Sequence, residues 1–192
     1  LAEDVGAGDL TAALIDPHRR ARARILAREA AVICGEPWAT AAVRALDPSA
    51  AIIWQVREGQ RCQADQVVVE IEGNAQALLT AERTALNFLQ LLSAVASKTA
   101  VFVDAVASVP GNRAAIVDTR KTIPGLRLAQ KYAVRMGGGT NHRIGLHDAV
   151  LIKEDHIAAA GGVTTALQRA NQAARTAMFV EIEVETLEQL RE

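Results

Sequence analysis

The chain has 192 residues, half of them apolar, which is enough to bury a core in one large domain or two modest ones. Its 21 basic residues are balanced by 22 acidic ones, and this balance argues against a nucleic-acid-binding protein. The two cysteines lack metal-site spacing, and no apolar run reads as a membrane span, so we expect a cytoplasmic protein with no membrane partner. The missing initiating methionine suggests that the natural chain begins upstream.

The first part of the chain is predicted to mix short strands with a helix. Alanine and arginine alternate over residues 21–28, which indicates a strand with one wet face. Residues 51–56 and 67–71 are short and β-branched, as is typical of strands. Pro37 stands where the first helical turn tolerates proline, so we predict a helix from there to Leu46.

A long helix is predicted over residues 80–107, with Thr80 as its N-cap. Its apolar residues fall nearly all round the axis, which indicates that it is covered on several sides, by another domain and a second subunit. Residues 110–112, Pro-Gly-Asn, end this helix and predict a domain boundary. The N-terminal α+β domain would then comprise residues 1–112, and the second domain residues 113–192.

The second domain is predicted to be α/β with a parallel sheet. Strands are expected at residues 114–118, 149–152 and 179–185, separated by helices at 126–136 and 163–175. Only 80 residues (192 − 112) follow the boundary, whereas a closed barrel of βα units takes about 250. We therefore expect either an open sheet or the first part of a βα-barrel that is truncated at its C-terminus.

Positive charge is concentrated in one segment of this balanced chain. Between residues 113 and 153 only two acidic residues accompany eight basic ones, which are Arg113, Arg120, Lys121, Arg127, Lys131, Arg135, Arg143 and Lys153. Basic residues follow directly after two predicted strands, with Arg120 and Lys121 after the first and Lys153 after the second. In βα folds the active sites lie at the carboxyl ends of the strands. The pattern predicts an anion-binding crevice; a solvated basic face is the alternative.

The residue types suit two kinds of anion. Arg120 and Arg143 have planar forks that bind carboxylates with paired hydrogen bonds, whereas Lys121 and Lys153 are compact charges suited to phosphate. The three glycines at residues 137–139 allow the backbone to approach a ligand closely, but an ordinary flexible loop is the default interpretation of a triple glycine.

Acidic and histidine side chains suggest further roles. Carboxylates alternate along the last predicted strand and share one face, at Glu181, Glu183 and Glu185. This face either holds ribose hydroxyls or belongs to a solvent-exposed edge strand. A metal site is not expected, because the spacing matches no standard site and nearby cations would repel a metal ion. The side chains considered for it are His142, His147, Asp148 and His156.

Several motifs together resemble the quinolinate phosphoribosyltransferase family, also called carboxylating nicotinate-nucleotide pyrophosphorylases. The most specific are DTRKTIPGLR at residues 118–127 and GGGTNHR at 137–143. EDVGAGDLT at residues 3–11, ERTALN at 82–87 and LIKEDH at 151–156 match the same family in the same order. The resemblance runs nearly the whole length of the chain.

This resemblance implies an N-terminal α/β domain, an incomplete seven-stranded barrel and a homodimer or higher homo-oligomer with shared active sites. The implied reaction converts quinolinate and phosphoribosyl pyrophosphate into nicotinate mononucleotide, pyrophosphate and CO2, with Mg²⁺ bound through phosphoribosyl pyrophosphate and no organic cofactor. The implied substrate-binding residues are Arg83 from the partner subunit, Thr119, Arg120, Lys121, His142, Arg143, Lys153 and Glu183. Of these, Lys121, Lys153 and Glu183 are the implied catalytic residues.

Two departures from the family pattern leave alternatives open. Asp155 stands where the family usually has asparagine, beside the phosphate-binding Lys153. The later strands, which in the family carry a second acidic residue and glycine-rich phosphate loops, are absent. A non-catalytic anion-binding fragment and the molybdenum-associated paralogue of the same fold are therefore alternatives to the enzyme.

Overall fold

A computed structural model describes all residues 1–192 and divides them into two compact units. Unit 1 comprises Leu1–Asp118 and Leu128–Thr140, and unit 2 comprises Thr119–Arg127 and Asn141–Glu192. Helices and strands occur in both units, so the architecture is mixed α/β, as predicted. The division into domains at residues 110–112 stays a prediction.

Unit 1 is built on two small antiparallel sheets, one long helix and several shorter helices. Its sheets have the strand orders β1-β5-β3 and β2-β4. In chain order its elements are α1 (Ala2–Val5), a 3-10 turn (Ala12–Leu14), β1 (Arg20–Leu26), β2 (Ala31–Val32), α2 (Glu36–Leu46), β3 (Ala51–Trp54), β4 (Arg61–Cys62), β5 (Val67–Asn74), α3 (Ala75–Ala107) and α4 (Arg127–Met136), of which Arg127 belongs to unit 2.

Arginine and alanine alternate along the first part of β1 and give it one solvent-exposed face and one packed face, as the sequence predicted. Arg22 lies on the exposed face and pairs with Glu70 of the neighbouring strand β5. On the opposite face Ala23 and Ile25 pack against a core cluster that includes Val69. The predicted helix at Pro37 is likewise confirmed, because α2 covers Glu36–Leu46.

The long helix α3 begins earlier than predicted. Its N-cap is Asn74, whose side chain accepts a hydrogen bond from the Ala77 N–H at 3.0 Å. The assignment of Thr80 as N-cap was wrong; its hydroxyl instead donates to Asp9 at 2.9 Å. Although α3 is long and apolar enough to cross a membrane, its buried positions belong to the core of unit 1. These positions include Ala81, Ala85, Leu89, Leu92, Ala96 and Ala100.

The glycine run that follows α4 packs against helix backbone. A Cβ at Gly137 would overlap the carbonyl oxygen of Ala96, and a Cβ at Gly139 would lie 2.8 Å from a methyl of Val134. Glycine is required at these positions because any side chain would force the segment away from α3 and α4. The flexible-loop interpretation was therefore wrong, and close packing accounts for the glycines.

The predicted strand at residues 114–118 is reduced to a single bridge. Val117 pairs in parallel with Thr140, with hydrogen bonds from the Thr140 N–H to Ile116 and from the Asp118 N–H to the Thr140 carbonyl. Directly at the end of this short segment, Asp118 pairs with Lys131 of α4. Both side chains are buried, at 8% and 2% exposure, so this ion pair belongs to the interior of unit 1.

Unit 2 contains the predicted parallel βα arrangement. Strands β6 (Val150–Ile152) and β7 (Val180–Ile182) pair in parallel, with Leu151 opposite Glu181. Helix α6 (Val163–Ala173) connects them as predicted, preceded by α5 (Glu154–Ala160), which was not predicted. A short helix, α7 (Leu187–Arg191), follows β7. The core of the unit is formed by the apolar side chains of β6, α5 and α6, which are Ile152, Ile157, Val163 and Ala166.

Candidate functional site

Two carboxylates of the β7 segment bind two of the predicted site residues. Glu181 contacts His142, with 3.0 Å between its Oε2 and the ring Nε2. Glu183 forms an ion pair with Lys153, with 3.3 Å between its Oε2 and Nζ. Because residues two apart in an extended segment point to the same side, His142 and Lys153 lie on the same face of the β6-β7 sheet. The face that Glu181 and Glu183 share therefore also holds His142 and Lys153.

Lys153 is positioned by the strand that precedes it. It follows β6 directly, and the Glu183 N–H donates to the carbonyl of Ile152 at 2.9 Å, so the two strand ends are held side by side. The ring of His156 accepts the Lys153 N–H at 3.1 Å at the start of α5. Asp155 lies exposed in the first turn of α5, where a carboxylate interacts favourably with the helix dipole.

The loop that carries Arg120 is held by local hydrogen bonds. The Lys121 N–H donates to the hydroxyl of Thr119 at 3.1 Å, which makes a tight turn around Arg120. Arg120 is partly buried, and its Nε is fully enclosed without a hydrogen-bond partner. A buried donor without an acceptor is costly, and no carboxylate of the chain pairs with this guanidinium.

Arg127 joins this loop to the loop that carries Arg143. Its Nε donates to the hydroxyl of Thr122 at 3.2 Å, and its terminal nitrogen donates to the carbonyl of Ile144 at 3.5 Å. Thr122 is two residues from Arg120, and Ile144 is next to Arg143. The two arginines predicted to bind carboxylates are therefore carried on loops that meet.

Arg143 is the most sheltered of the predicted site residues, with 8% exposure. No ion pair within the chain involves Arg120, Lys121 or Arg143. Removing a guanidinium from water without a counter-charge is costly, and such an arrangement is typical of a site for an anion. Unit 2 thus combines two arginines that lack carboxylate partners with a lysine and a histidine that have them.

Asp148 fixes the turn that follows Arg143. Its two oxygens accept the N–H groups of Ile144 and Gly145 at 2.7 and 2.9 Å. These hydrogen bonds favour the charged carboxylate and lower the pKa of Asp148 below its ordinary value of 3.8. Gly145 leaves no room for a Cβ, which would lie 2.6 Å from the ring of His147.

Replacing Asp148 by asparagine should destabilise the protein in a pH-dependent manner. Because the pKa is lowered in the folded state, the charged carboxylate stabilises the fold above pH 3.8, and this contribution is lost as the pH falls further. Urea unfolding at neutral and acidic pH measures the difference between Asp148→Asn and the parent protein. We expect that difference to be largest at neutral pH and to shrink in acid; a difference that is constant with pH would contradict the assignment.

The remaining predicted residues have no side-chain contact with the pairs described above. Arg83 is exposed on α3 in unit 1. No cluster of three or more potential metal-binding side chains occurs in the chain. Arg127 and Asp148 were not predicted as site residues, and Glu181 was recognised only as one of three alternating carboxylates. The contact of Glu181 has no local sequence signal, since His142 lies 39 residues away, whereas Asp148 accepts from Ile144 and Gly145 within the same turn.

Comparisons with known proteins identify relatives that match the whole length of the chain. Residues 9–93 match the family model for the N-terminal domain of quinolinate phosphoribosyl transferase, and residues 95–192 match the model for its C-terminal domain. A probable carboxylating nicotinate-nucleotide pyrophosphorylase from Synechocystis is 44% identical over 100% of this chain and 64% of its own length. The protein of the same description from Bacillus subtilis is 42% identical over 99% of this chain and 65% of its own length.

Solved structures give the same result. The nicotinate-nucleotide pyrophosphorylase from Francisella tularensis superposes with a TM-score of 0.93 and 44% sequence identity, over 99% of this chain and 66% of the other. The enzyme from Streptococcus pyogenes has a TM-score of 0.90 and 41% identity, over 98% of this chain and 66% of the other. This chain therefore spans slightly less than two thirds of the length of these relatives.

Proposed function

This chain belongs to the quinolinate phosphoribosyl transferase family, and from this premise we propose that the protein containing it transfers a phosphoribosyl group to quinolinate. Phosphoribosyl pyrophosphate is the donor, and the products are nicotinate mononucleotide, pyrophosphate and CO2. The observation that carries the proposal is the pair of sheltered arginines, Arg120 and Arg143, on loops joined by Arg127 and without carboxylate partners in the chain.

Quinolinate suits these arginines because it is a flat ring with two carboxylates. Each guanidinium fork can donate two parallel hydrogen bonds to one carboxylate, and the charges of the ligand offset the burial of Arg120 and Arg143. His142 supplies a further donor beside them, while Thr119 lines the pocket. A substrate with only one carboxylate would leave one arginine without a counter-charge, so the geometry favours the dicarboxylate.

Lys121, Lys153 and Glu183 are assigned to the phosphoribosyl substrate. Lys121 is exposed at the edge of the Arg120 loop, where an ammonium group can reach a phosphate. Lys153 retains further donors beyond its contact with Glu183, because an ammonium group has three N–H bonds. Glu183 is about half exposed, so one carboxylate oxygen can accept ribose hydroxyls while the other holds Lys153.

The reaction requires positioning more than acid–base chemistry. The ring nitrogen of quinolinate attacks the anomeric carbon as the bond to pyrophosphate breaks, and positive charge develops on the sugar. Glu183 stabilises that charge, while Lys121 and Lys153 stabilise the departing pyrophosphate. The ring nitrogen then carries a positive charge, which stabilises the electron pair left on the neighbouring carbon when its carboxylate leaves as CO2. That carbon then takes up a proton from water.

Magnesium is assigned to the substrate and not to a site built by this chain. The chain offers no cluster of three carboxylate, histidine or cysteine side chains for a resident ion. When present, Mg²⁺ would be bound by the pyrophosphate oxygens and would neutralise part of their charge. Every protein step above is therefore assigned to side chains.

We also propose the wider organisation implied by the family. Residues 113–192 would form the first part of an incomplete βα-barrel, and residues 1–112 the N-terminal domain. The protein would act in the cytoplasm as a homodimer or higher homo-oligomer, with Arg83 reaching the active site of the partner subunit. The exposed apolar residues Val101 and Phe102 on α3 support an interface there, because they are 60% and 50% exposed.

The reaction is tested with quinolinate labelled in the carboxyl group that is lost. Release of labelled CO2 that depends on phosphoribosyl pyrophosphate supports the proposed activity. Quinolinate binding without release would instead support a non-catalytic anion-binding protein, and neither binding nor release would overturn both. Nicotinate, which lacks the second carboxylate, serves as the matched control ligand and should bind at least ten-fold more weakly.

Shared active sites are tested by mixing two inactive variants. Arg83→Ala and Arg120→Ala should each lose most activity, because each removes a cation from the quinolinate pocket. If Arg83 serves the partner's site, mixed oligomers contain one site with neither substitution, and about a quarter of the parental activity should return. Subunit exchange is verified with two differently tagged chains; exchange without recovery would contradict sharing.

A further inference from the structure

Glu181 and Phe179 together determine how the ring of His142 is held. The Glu181 carboxylate lies 3.0 Å from Nε2, and the Phe179 ring packs edge-on with 4.9 Å between ring centroids. Because these two residues alternate on the same side of the chain, one short segment contacts both the edge and the face of the imidazole. His142 is thereby largely sheltered, with 18% of its side chain exposed.

The carboxylate also determines where the ring carries its proton. An ionised carboxylate can only accept hydrogen bonds, so Nε2 of His142 must carry the hydrogen that Glu181 receives. Any hydrogen bond that His142 donates to a second anion must then come from Nδ1. A ring that donates from both nitrogens is the imidazolium cation, and the charge of Glu181 compensates for that cation.

We propose that Glu181 is a positioning residue for quinolinate binding, which holds His142 in the orientation and protonation state that donate to a substrate carboxylate. The inference rests on the proposed function and adds a residue to it. Glu183 has a different partner, since its carboxylate contacts Lys153 and the His142 ring contacts Glu181. The two neighbouring glutamates therefore have separate tasks: one orients the histidine, and the other faces the sugar.

Because Glu181 is exposed, its role in substrate binding can be tested without changing the stability of the protein. Its side chain is 50% exposed, and an exposed ion pair contributes little to the free energy of unfolding. Replacing it should therefore leave the melting temperature nearly unchanged. A lost substrate contact made equally before and during reaction raises KM without lowering kcat, whereas partial unfolding lowers the apparent kcat at constant KM.

The kinetic test compares Glu181→Ala with Glu185→Ala, an exposed carboxylate on the same alternating face. We expect Glu181→Ala to raise the KM for quinolinate about ten-fold while kcat and the KM for phosphoribosyl pyrophosphate change less than about two-fold. Glu181→Gln should recover part of the loss, because its amide oxygen still accepts from Nε2. Glu185→Ala should behave as the parent, and equal effects of the two alanine variants would overturn the proposal.

A double-variant test links the effect to His142. In a His142→Asn background, adding Glu181→Ala should change the KM for quinolinate less than about two-fold, because the group that Glu181 positions is already absent. If the full ten-fold effect persists in that background, Glu181 acts independently of His142 and the inference is wrong.

Nitrogen-15 NMR of the histidine rings separates this inference from the proposed function. In the parent protein Nε2 of His142 should carry a proton in the neutral ring and in the imidazolium alike, whereas in Glu181→Ala the neutral ring should distribute its proton between the two nitrogens. If the spectrum of Glu181→Ala matches that of the parent protein, the proposed role of Glu181 is wrong, whether or not the protein is active. Absence of labelled CO2 release from the parent protein would sink the proposed function, whatever the spectrum shows.

Discussion

Arg120→Lys is expected to lower kcat/KM for quinolinate about 100-fold while the protein remains folded. Lysine keeps the positive charge but replaces a planar fork by a single ammonium, so the paired hydrogen bonds to one carboxylate are lost. Losing one or two charge-assisted hydrogen bonds costs about 1.5–3 kcal/mol, which corresponds to roughly 10- to 150-fold in rate. The enclosed Nε of Arg120 is the atom that lysine cannot replace.

Labelled CO2 release and thermal unfolding are measured on the same preparation of Arg120→Lys. The matched control is Arg175→Lys, an exposed arginine in the same unit, which should keep the parental rate. Near-normal turnover of Arg120→Lys would count against a bidentate contact. A large drop in the melting temperature would show that Arg120 supports the fold and not the substrate.

Lys131→Met is expected to lower the free energy of unfolding by about 3–5 kcal/mol, because it removes the positive charge that Lys131 places beside the buried carboxylate of Asp118. Asp118 immediately precedes the Thr119 turn, so we also expect loss of activity in the fraction that remains folded. The change is large against the 5–15 kcal/mol that stabilises a typical domain. Urea unfolding measures it through the midpoint and slope of the transition.

An exposed ion pair provides the matched control for this substitution. Arg61 and Asp104 are joined at 2.7 Å, but both side chains are more than half exposed. Arg61→Met should therefore change the free energy of unfolding by less than about 1 kcal/mol. The double variant Lys131→Met with Asp118→Leu should recover most of the stability, since two apolar groups replace the ion pair. Equal effects of Lys131→Met and Arg61→Met would refute the role of burial.

The amino-acid sequence alone predicted the elements that depend on local interactions. Strand β1 follows from the alternation of alanine and arginine, and α2 follows from a proline at its first turn. Helix α4 was predicted to within one residue at its start, because its composition favours helix whatever surrounds it. The order of basic residues after strands also predicted an anion site, because chain order determines which loops share one edge of a parallel sheet. Which side chains bind the anion stays a prediction.

Local pattern failed where a partner far along the chain decides the structure. Residues 114–118 have a strand-like composition, yet only Val117 forms a bridge, because its partner segment offers a single pairing residue at Thr140. The start of α3 was misplaced because the Thr80 hydroxyl donates a hydrogen bond to Asp9, 71 residues away, and Asn74 caps the helix instead. Propensity describes what a segment can form, and pairing determines how much of it forms.

The sequence by itself determined the family and the parallel βα order, and it predicted which cations belong to the candidate site. Only the tertiary structure decided which carboxylate each cation meets: Lys131 meets Asp118 in the interior, Lys153 meets Glu183, and His142 meets Glu181. It also left Arg120 and Arg143 without a carboxylate. The physical reason is that charge and hydrogen bonding act over a few ångströms in space, and residues brought that close can lie anywhere along the chain.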